Sequence, residues 1–188
     1  MSDNNAKTYT IRDACPGDAA GILAIYAPHV LNDAITFEFE IPSVEDMAGR
    51  ILATQAEFPY FVAEDETGIL GYAYAGRVRS RAAYQWSAEL SIYVREDVQG
   101  RGIGRTLVER IVEALTAMGV KTLYAVITHP NVPSEAFHNR LGFERLYAFE
   151  HMGWKLGQWW GVLWMSMTLG EFVDRPSEIV AYPLIKIE

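Results

Sequence analysis

The sequence predicts a mixed α/β fold, and three observations support this class. Apolar and polar residues alternate along residues 86–94, which is typical of a strand with two different faces. A glycine-rich turn at residues 99–105 follows and leads into a stretch with apolar residues at near-fourfold spacing, as in an amphipathic helix. Taken along the whole chain, such patterns predict the order β-α-α-β-β-β-α-β-α-β-β.

The first half of the chain predicts one strand, two helices and a hairpin. Residues 7–14 form a short β-like run, and in residues 15–32 a Pro and an Asp precede an apolar stripe, which indicates a helix start. Ser43 is followed three residues later by Asp46, close to a capping box, so a second helix is expected there. Residues 60–78 then predict a β-hairpin.

The second half carries the alternating strand, a long helix and further strands. In the strand, Glu89 shares its polar side with Ser87, Ser91 and Tyr93. The helix is expected to end at Gly119, and its apolar face would consist of Ile103, Leu107, Ile111, Leu115 and Met118. After it we expect, in order, a strand at 121–128, a short helix at 132–142 and strands at 143–153 and 160–169.

Composition limits the domain count and the class of partner. With 188 residues, half of them hydrophobic, the chain fits a single domain at residues 1–170, followed by a C-terminal extension at 171–188 that carries no motif. The net charge of −8 argues against nucleic acid or an anionic membrane as partner. Cys15 is the one cysteine, so no internal disulfide can form, and we interpret it as a small structural residue. The polar N-terminus and the lack of a long apolar run predict a cytoplasmic protein.

The glycine turn is the first candidate for ligand binding. Gly100, Gly102 and Gly104 do not have the spacing of a dinucleotide fingerprint, and no Gly-Lys-Ser/Thr occurs as in a Walker loop. Glycines that open a helix still let the backbone N–H groups approach an anion at the positive end of the helix dipole. Arg101 and Arg105 would add charge. The alternative is a plain strand-to-helix turn that needs glycine for its geometry.

The neighbouring motifs decide between these alternatives. The run Gln99-x-x-Gly102-x-Gly104 resembles the acyl-CoA pyrophosphate loop of the GNAT N-acetyltransferase superfamily, and "YAVITHPN" and "SEAFHNRLGF" resemble the strand and short helix that follow it there. The resemblance implies the GNAT acyl-CoA N-acyltransferase fold, a mixed sheet flanked by helices in which two parallel strands splay apart around the pantetheine arm. The residues that would bind acetyl-CoA are Ile92, Tyr93, Val94, Gln99, Gly100, Arg101, Gly102, Ile103, Gly104, Arg105, Asn131 and Ser134.

Three longer stretches narrow the resemblance to one family. "YAPHVLNDAITFEFEIP", "YAGRVRSRAAYQWSAELSIYV" and "GWKLGQWWGVLWMSMTL" resemble the phosphinothricin and methionine sulfoximine acetyltransferases over roughly residues 11–169. The resemblance implies transfer of acetyl from acetyl-CoA to the α-amine of a small amino acid, by a homodimer. The chain departs from the family at Gly161, where an Asp is common, and in its long tail.

Two residues are candidates for the chemistry. Glu89 matches a glutamate that acts as base in the family, directly or through water; the alternative is a surface carboxylate on a half-exposed strand. His138 lies where many superfamily members have a tyrosine that protonates the leaving thiolate, and this family has a histidine. A histidine that packs or positions CoA is an equal alternative. For Asn131 the alternative is a turn residue.

The acceptor site is predicted from charge and resemblance. Arg77, Arg79 and Arg81 alternate, so an extended chain would put them on one side, where they could bind an anionic acceptor such as an amino-acid carboxylate. The alternative is a solvated charge run. Glu38 and His29 match positions near the family's acceptor pocket, although His29 could equally cap its helix.

Other chemistries receive less support. The histidines show no metal spacing, so we expect no metal. Core or dimer packing is expected for Trp154, Trp159, Trp160 and Trp164. Two other functions stay open: a CoA-binding module without catalysis, and an acetyltransferase for a polyamine or a protein N-terminus, although the arginines argue against a polyamine.

Overall fold

The computed structural model describes residues 9–185 and shows one seven-stranded sheet flanked by helices. The order of strands and helices is the predicted one. The elements are β1 (Thr10–Asp13), α1 (Ala19–Asn32), α2 (Val44–Gln55), β2 (Tyr60–Asp65), β3 (Gly68–Arg77), β4 (Ser87–Val94), α3 (Ile103–Met118), β5 (Thr122–His129), α4 (Val132–Arg140), β6 (Glu144–Lys155) and β7 (Gln158–Thr168).

The sheet has the spatial order β1-β2-β3-β4-β5-β7-β6, and its central pair is parallel. The other neighbouring strands pair antiparallel. β4 and β5 are in register only from Ser87 opposite Thr122 to Leu90 opposite Ala125. Beyond Leu90, β4 continues to pair with β3 and β5 with β7. The splayed parallel strands expected for the GNAT fold are therefore confirmed.

The two faces of the sheet bury different helices. On one face Leu107 and Ile111 of α3 pack in a buried cluster with Ala88 and Leu90 of β4. On the other face α1 and α2 form a second cluster with the tyrosines of β2 and β3, and Tyr93 of β4 packs against it. Residues at odd positions of β4, including Glu89, therefore face the α1 and α2 side, as the alternation predicts.

The helix ends follow from local chemistry. Ser43 accepts a hydrogen bond from the Asp46 N–H at 3.0 Å and caps α2, as predicted. α3 ends at Gly119, which has a φ of +91° in the left-handed region that glycine favours. α1 begins at Ala19, directly after a 3₁₀ turn at Pro16–Asp18, so the Pro and the Asp precede the apolar stripe as predicted.

Residues 171–185, predicted as an extension without a motif, return to the domain and pack on it. Val180 N–H donates to Met118 O at 2.9 Å, and Tyr182 N–H donates to Glu57 O at 2.8 Å. The Tyr182 ring lies edge-on to Phe61, with centroids 5.7 Å apart. Within residues 9–185 no helix is both long and apolar enough to cross a bilayer.

Candidate active site

The gap between β4 and β5 is the central feature of the site. Past Leu90, the backbone edge of β4 that faced β5 has no strand partner, so its polar groups are available to a ligand. This segment contains Ile92–Val94, the residues predicted to bind the donor arm. Beside it lies a cavity of about 400 Å³, lined by Val94 and the three residues that follow and, from α1, by Ala24, Ile25, Pro28 and His29.

The glycine turn lies at the end of this gap. Gly100 and Gly102 have φ of +80° and +82°, values that L side chains rarely adopt. Gly104 lies in the first turn of α3, where a Cβ would come within 3.3 Å of the Phe137 ring. The first N–H groups of a helix have no acceptor within it and carry the positive end of its dipole. The backbone N–H groups of this turn therefore form an anion-binding site suited to a pyrophosphate, which we call the pyrophosphate seat.

The residues predicted to bind the donor at the pyrophosphate seat differ in their burial and in their hydrogen-bond partners. Ile103 is 1% exposed, so only its backbone N–H can face a ligand. The Arg105 Nε donates to Glu109 at 2.8 Å on the exposed surface of α3. Arg101 is exposed and contributes to lowering the pKa of Asp97, whose main partner is Arg95. The Gln99 amide lies 3.4 Å from Val94 O and closes the turn against β4.

Asn131 and Ser134 open the short helix α4 on the other side of the gap. The Asn131 Oδ1 accepts the Ser134 N–H at 3.2 Å, so this residue caps α4. The cap uses only the carbonyl oxygen of the side chain, and the amide group keeps its donors for a ligand. The turn role considered for Asn131 and the predicted contact with the donor are thus compatible.

His138 is enclosed by α4 and its neighbours. It is 3% exposed, and its ring lies edge-on to Phe137 and Phe143 at centroid distances of 5.1 and 5.2 Å. The Nδ1 atom lies 2.8 Å from Ser134 O, and because a carbonyl only accepts, Nδ1 carries the hydrogen. Burial lowers the pKa of His138, so the neutral ring with a lone pair on Nε2 is favoured.

Glu89 lies where β4 and β5 are about to separate. Its neighbours in register are Gly76 on β3 and Tyr124 on β5. A Cβ at Gly76 would meet no described atom within 4 Å, so open space borders the carboxylate. Burial raises the pKa of Glu89, and the positive charge of Arg79 partly offsets this rise. A half-buried carboxylate of raised pKa beside open space is suited to accept a proton.

Tyr74 extends this surface on β3. Its side chain is hydrogen-bonded to Ser91 and its ring stacks on Tyr60 at 4.8 Å. Burial raises the pKa of Tyr74, and the negative charges of Glu89 and Glu38 raise it further. The phenol therefore stays protonated and can donate a hydrogen bond within the site.

The three arginines predicted for the acceptor do not lie together. Strand β3 ends at Arg77 and the chain bends at Val78, so the expected alternation on one side is lost. Arg77 is paired with Glu57, and Arg81 is exposed before a 3₁₀ turn. Only Arg79 reaches the site, where its guanidinium lies 5.9 Å from the centroid of the Trp164 ring.

The segment between α1 and α2 carries Glu38, which accepts hydrogen bonds from Arg50 of α2 at 2.7 and 3.3 Å. Lys155 anchors the same segment. It is 3% exposed, and its Nζ donates to His29 O at 2.9 Å and to Thr36 O at 2.6 Å. Burial lowers the pKa of Lys155.

His29 lies in the last turn of α1 and beside β4, and its expected place near the acceptor pocket stays a prediction. Its Nδ1 lies 2.7 Å from Asp33 Oδ2 at the end of α1, and its ring is 5.6 Å from that of Tyr93. The residue also lines the cavity beside β4. His29 therefore contacts the residue that ends α1 and also borders the gap.

Four site residues were missed from the sequence, namely Tyr74, Tyr124, Lys155 and Trp164. Trp164, assigned to core or dimer packing, lies edge-on to Tyr124 at 5.8 Å and under Arg79. The alternation along β5 and β7 is the signal that would have placed both rings on the Glu89 face. Lys155 stood in a quoted motif, but nothing local indicates its buried contacts with two carbonyls.

Gly161, the departure from the family pattern, has a steric explanation. A Cβ there would lie 2.9 Å from Phe149 O and 3.3 Å from His129 O. The register of β6 on β7 is irregular between Phe149 and Gly153, which brings the outer strand close to this position.

The β6–β7 hairpin exposes a row of large apolar side chains. Trp154 and Trp159 pair edge-on at 5.5 Å and are about half exposed. We call this set the outer hairpin surface, and its members are Leu146, Tyr147, Phe149, Met152, Trp154, Leu156 and Trp159. Exposed apolar side chains in such number are typical of surfaces that bind another protein.

Comparisons with known proteins agree with this geometry. The family described as acetyltransferase (GNAT) domain matches residues 11–164. An L-methionine sulfoximine/L-methionine sulfone acetyltransferase from Pseudomonas paraeruginosa is 35% identical over 89% of this chain and 98% of its own. A phosphinothricin N-acetyltransferase from Streptomyces viridochromogenes is 32% identical over 79% of this chain and 81% of its own.

A solved structure is similar to this chain and belongs to the same family. The crystal structure of a GNAT superfamily phosphinothricin acetyltransferase from Sinorhizobium meliloti, in complex with acetyl-CoA, superposes with a TM-score of 0.86. The sequences are 39% identical, and the match covers 94% of this chain and 96% of that one.

Proposed function

The chain belongs to the GNAT acetyltransferase family, and from this we propose that it transfers acetyl from acetyl-CoA to the α-amine of a small amino acid. The acceptors we expect are phosphinothricin, methionine sulfoximine and methionine sulfone, for which its relatives are named. The observation that carries the proposal is the place of Glu89, a carboxylate of raised pKa beside open space where β4 and β5 separate.

The donor would lie along the gap. The edge of Ile92–Val94 would bind the pantetheine arm as a strand partner does, and the turn from Gln99 to Arg105 would hold the pyrophosphate. Asn131 and Ser134 would contact the arm from the α4 side. This arrangement brings the thioester to the level of Glu89.

Transfer needs one proton acceptor and no covalent intermediate on the enzyme. Glu89 takes a proton from the ammonium of the acceptor, directly or through a water molecule. The free amine attacks the thioester carbon, a C–N bond forms and the C–S bond breaks. The leaving thiolate takes up the second proton that the nitrogen loses as it becomes an amide. The raised pKa of Glu89 supports this role because it brings the base closer to neutral pH.

The acceptor would occupy the space bordered by Gly76, Tyr74 and Trp164. Arg79 would bind its carboxylate, since guanidinium and carboxylate form bidentate pairs. Glu38, held by Arg50, would approach the same space from the α1–α2 segment. Arg77 is paired with Glu57 and Arg79 is the arginine whose charge acts on Glu89, so we assign the carboxylate to Arg79.

His138 was a candidate for the acid that protonates the thiolate, and this assignment stays a prediction. Its burial, its lowered pKa and its bond to Ser134 O support the alternative role. We propose that it holds the C-terminal end of α4 in place by packing between Phe137 and Phe143.

We also propose that the protein is a cytoplasmic homodimer that uses the outer hairpin surface. A second copy of this chain would cover its exposed aromatic and aliphatic side chains. Light scattering after gel filtration tests this. We expect the mass of a dimer for the native chain and of a monomer for Trp154→Glu/Trp159→Glu, and a monomeric native chain would contradict the proposal.

A thiol assay tests the enzyme function directly. Protein, acetyl-CoA and each acceptor are mixed, and release of free thiol is followed against a panel that includes a polyamine and a peptide with a free N-terminus. Preferred turnover of the amino-acid acceptors supports the proposal, and preferred turnover of the polyamine or the peptide changes the acceptor class. Binding of acetyl-CoA without thiol release from any amine would indicate a CoA-binding module.

A further inference from the structure

The C-terminal segment 177–182 is hydrogen-bonded to one end of the loop that carries Arg79 and to Glu57, which pairs with the other end. We call residues 77–86 the arginine loop. This segment lies beyond the family match, which ends at residue 164.

At the far end of the arginine loop the segment binds two consecutive residues. The Trp86 Nε1–H donates to Ser177 O at 2.8 Å, and the Ile179 N–H donates to the Gln85 side-chain oxygen at 3.2 Å. Trp86 O in turn accepts from Lys121 N–H at 2.8 Å. This end of the loop is therefore held between α3, β5 and the C-terminal segment.

At the near end, Glu57 connects the C-terminal segment to the arginine loop. The Tyr182 N–H donates to Glu57 O at 2.8 Å, while the Glu57 carboxylate accepts from Arg77 Nε at 2.9 Å. One residue thus joins the C-terminal segment to the point where β3 ends and the arginine loop begins. The segment spans the loop from one end to the other.

The segment has anchors of its own. Val180 N–H donates to Met118 O, and the Tyr182 hydroxyl donates to Asp13 at 3.0 Å. Ile179 and Tyr182 pack against the α3 core. A segment fixed to α3 and β1 can hold a loop in place, whereas Arg79 itself is exposed and rests only on its contact with Trp164 and its backbone bond to Val78.

We propose that residues 177–182 clamp the arginine loop and so position Arg79 beside Glu89 for the carboxylate of the acceptor. These are positioning residues, and the inference rests on the proposed function. The clamp sets affinity for the acceptor and leaves the donor gap untouched, because its contacts lie at neither Ile92–Val94 nor the glycine turn.

The test releases the arginine loop and keeps the rest of the chain. Gln85→Ala/Trp86→Phe removes the acceptor for Ile179 N–H and the donor to Ser177 O. Thr116→Val is the control, because it removes a hydroxyl bond to Val112 O within α3 and keeps every hydrogen bond of residues 177–182. We expect the KM for the acceptor to rise about fivefold in the double variant, with the KM for acetyl-CoA unchanged. The control should match the native enzyme.

The pH profile gives a second readout. When Arg79 moves away, Glu89 loses the charge that lowers its pKa, so the acidic limb of kcat/KM moves to higher pH. The other groups around Glu89 are Tyr74 on β3, Tyr124 on β5 and the Glu38–Arg50 pair, and all of them are the same in every variant.

The outcomes separate the two proposals. An unchanged acceptor KM and pH profile in the double variant, or equal changes in both KM values, would overturn the clamp while native turnover still supports the function. Amide hydrogen exchange over residues 78–85 needs no turnover: faster exchange in the double variant than in the control supports the clamp, and equal exchange overturns it. A native enzyme without turnover would overturn the proposed function alone.

Discussion

Gly76 of β3 lies directly opposite Glu89 of β4, so the carboxylate faces a strand position that has no side chain. Tyr124 occupies the matching position on the other side, in β5. The open side is where an amine can approach the base. The pairing thus defines which side of Glu89 receives the acceptor.

Filling that space should block the acceptor. For Gly76→Val we expect kcat/KM for the acceptor to fall about tenfold or more, because the new side chain stands beside the carboxylate. Binding of acetyl-CoA and the melting temperature should change little. Gly49→Val, at an exposed position of α2 that is equally open, is the matched control. A native kcat/KM in Gly76→Val would place the acceptor elsewhere.

Glu89→Gln keeps the shape of the side chain and removes the base. We expect kcat to fall by roughly 10²- to 10³-fold. Calorimetry should give the native Kd for acetyl-CoA, since the donor gap is not altered. If kcat stays within about twofold of the native value, another group takes the proton.

The pH dependence follows from the environment of Glu89. Its folded pKa is raised by burial, so the base is protonated, and kcat/KM declines, at a higher pH than an ordinary glutamate would give. Arg79→Met removes the charge that opposes this rise, and the acidic limb should move to still higher pH. Arg81→Met removes an exposed charge of the same loop that is not among the causes of the Glu89 pKa shift, and it serves as control. If the acidic limb of kcat/KM lies at the same pH in Arg79→Met and Arg81→Met, the assignment of Arg79 as the charge beside Glu89 is contradicted.

The two ends of α3 offer a matched pair for the donor. Gly102 and Gly119 both have positive φ, +82° and +91°, so alanine at either costs about 1 kcal/mol of folding free energy. Both variants should show similar losses in melting temperature. Only Gly102→Ala should weaken acetyl-CoA binding in calorimetry. Similar affinity in both variants would argue against the glycine turn as the pyrophosphate seat.

Lys155→Met tests the anchor of the acceptor segment. The change leaves His29 O and Thr36 O without their buried donor, which costs about 1–3 kcal/mol for each carbonyl left unpaired. We expect a lower melting temperature and a higher KM for the acceptor, with the KM for acetyl-CoA less affected. A purely structural role for Lys155 would change both KM values alike.

The sequence predicted the succession of elements and the side of β4 that carries Glu89. Both follow from short-range periodicity: the alternation in 86–94 and the apolar spacing from Ile103 to Met118 are local properties. The cap at Ser43 and the stop at Gly119 were predictable for the same reason. The splay of β4 and β5 came only from the family resemblance.

Long-range contacts could not be predicted from the sequence. The arginines alternate as in a strand, but the chain bends at Val78, and only the fold shows that Arg77 reaches Glu57 while Arg79 reaches Trp164. Lys155 bonds to carbonyls more than 100 positions away in the chain. The packing of residues 177–182 has no local signature, because a hydrogen bond from a backbone N–H leaves no trace in residue type.

The short parallel pairing of β4 with β5 has a consequence for the lifetime of the protein. A strand edge without a partner is a template for strands of other chains, and here it lies in the middle of a sheet. A thioester donor seated along Ile92–Val94 would shield that edge and stabilise the native state by mass action. The supply of acetyl-CoA would then govern resistance to aggregation and proteolysis as well as the rate of acetylation.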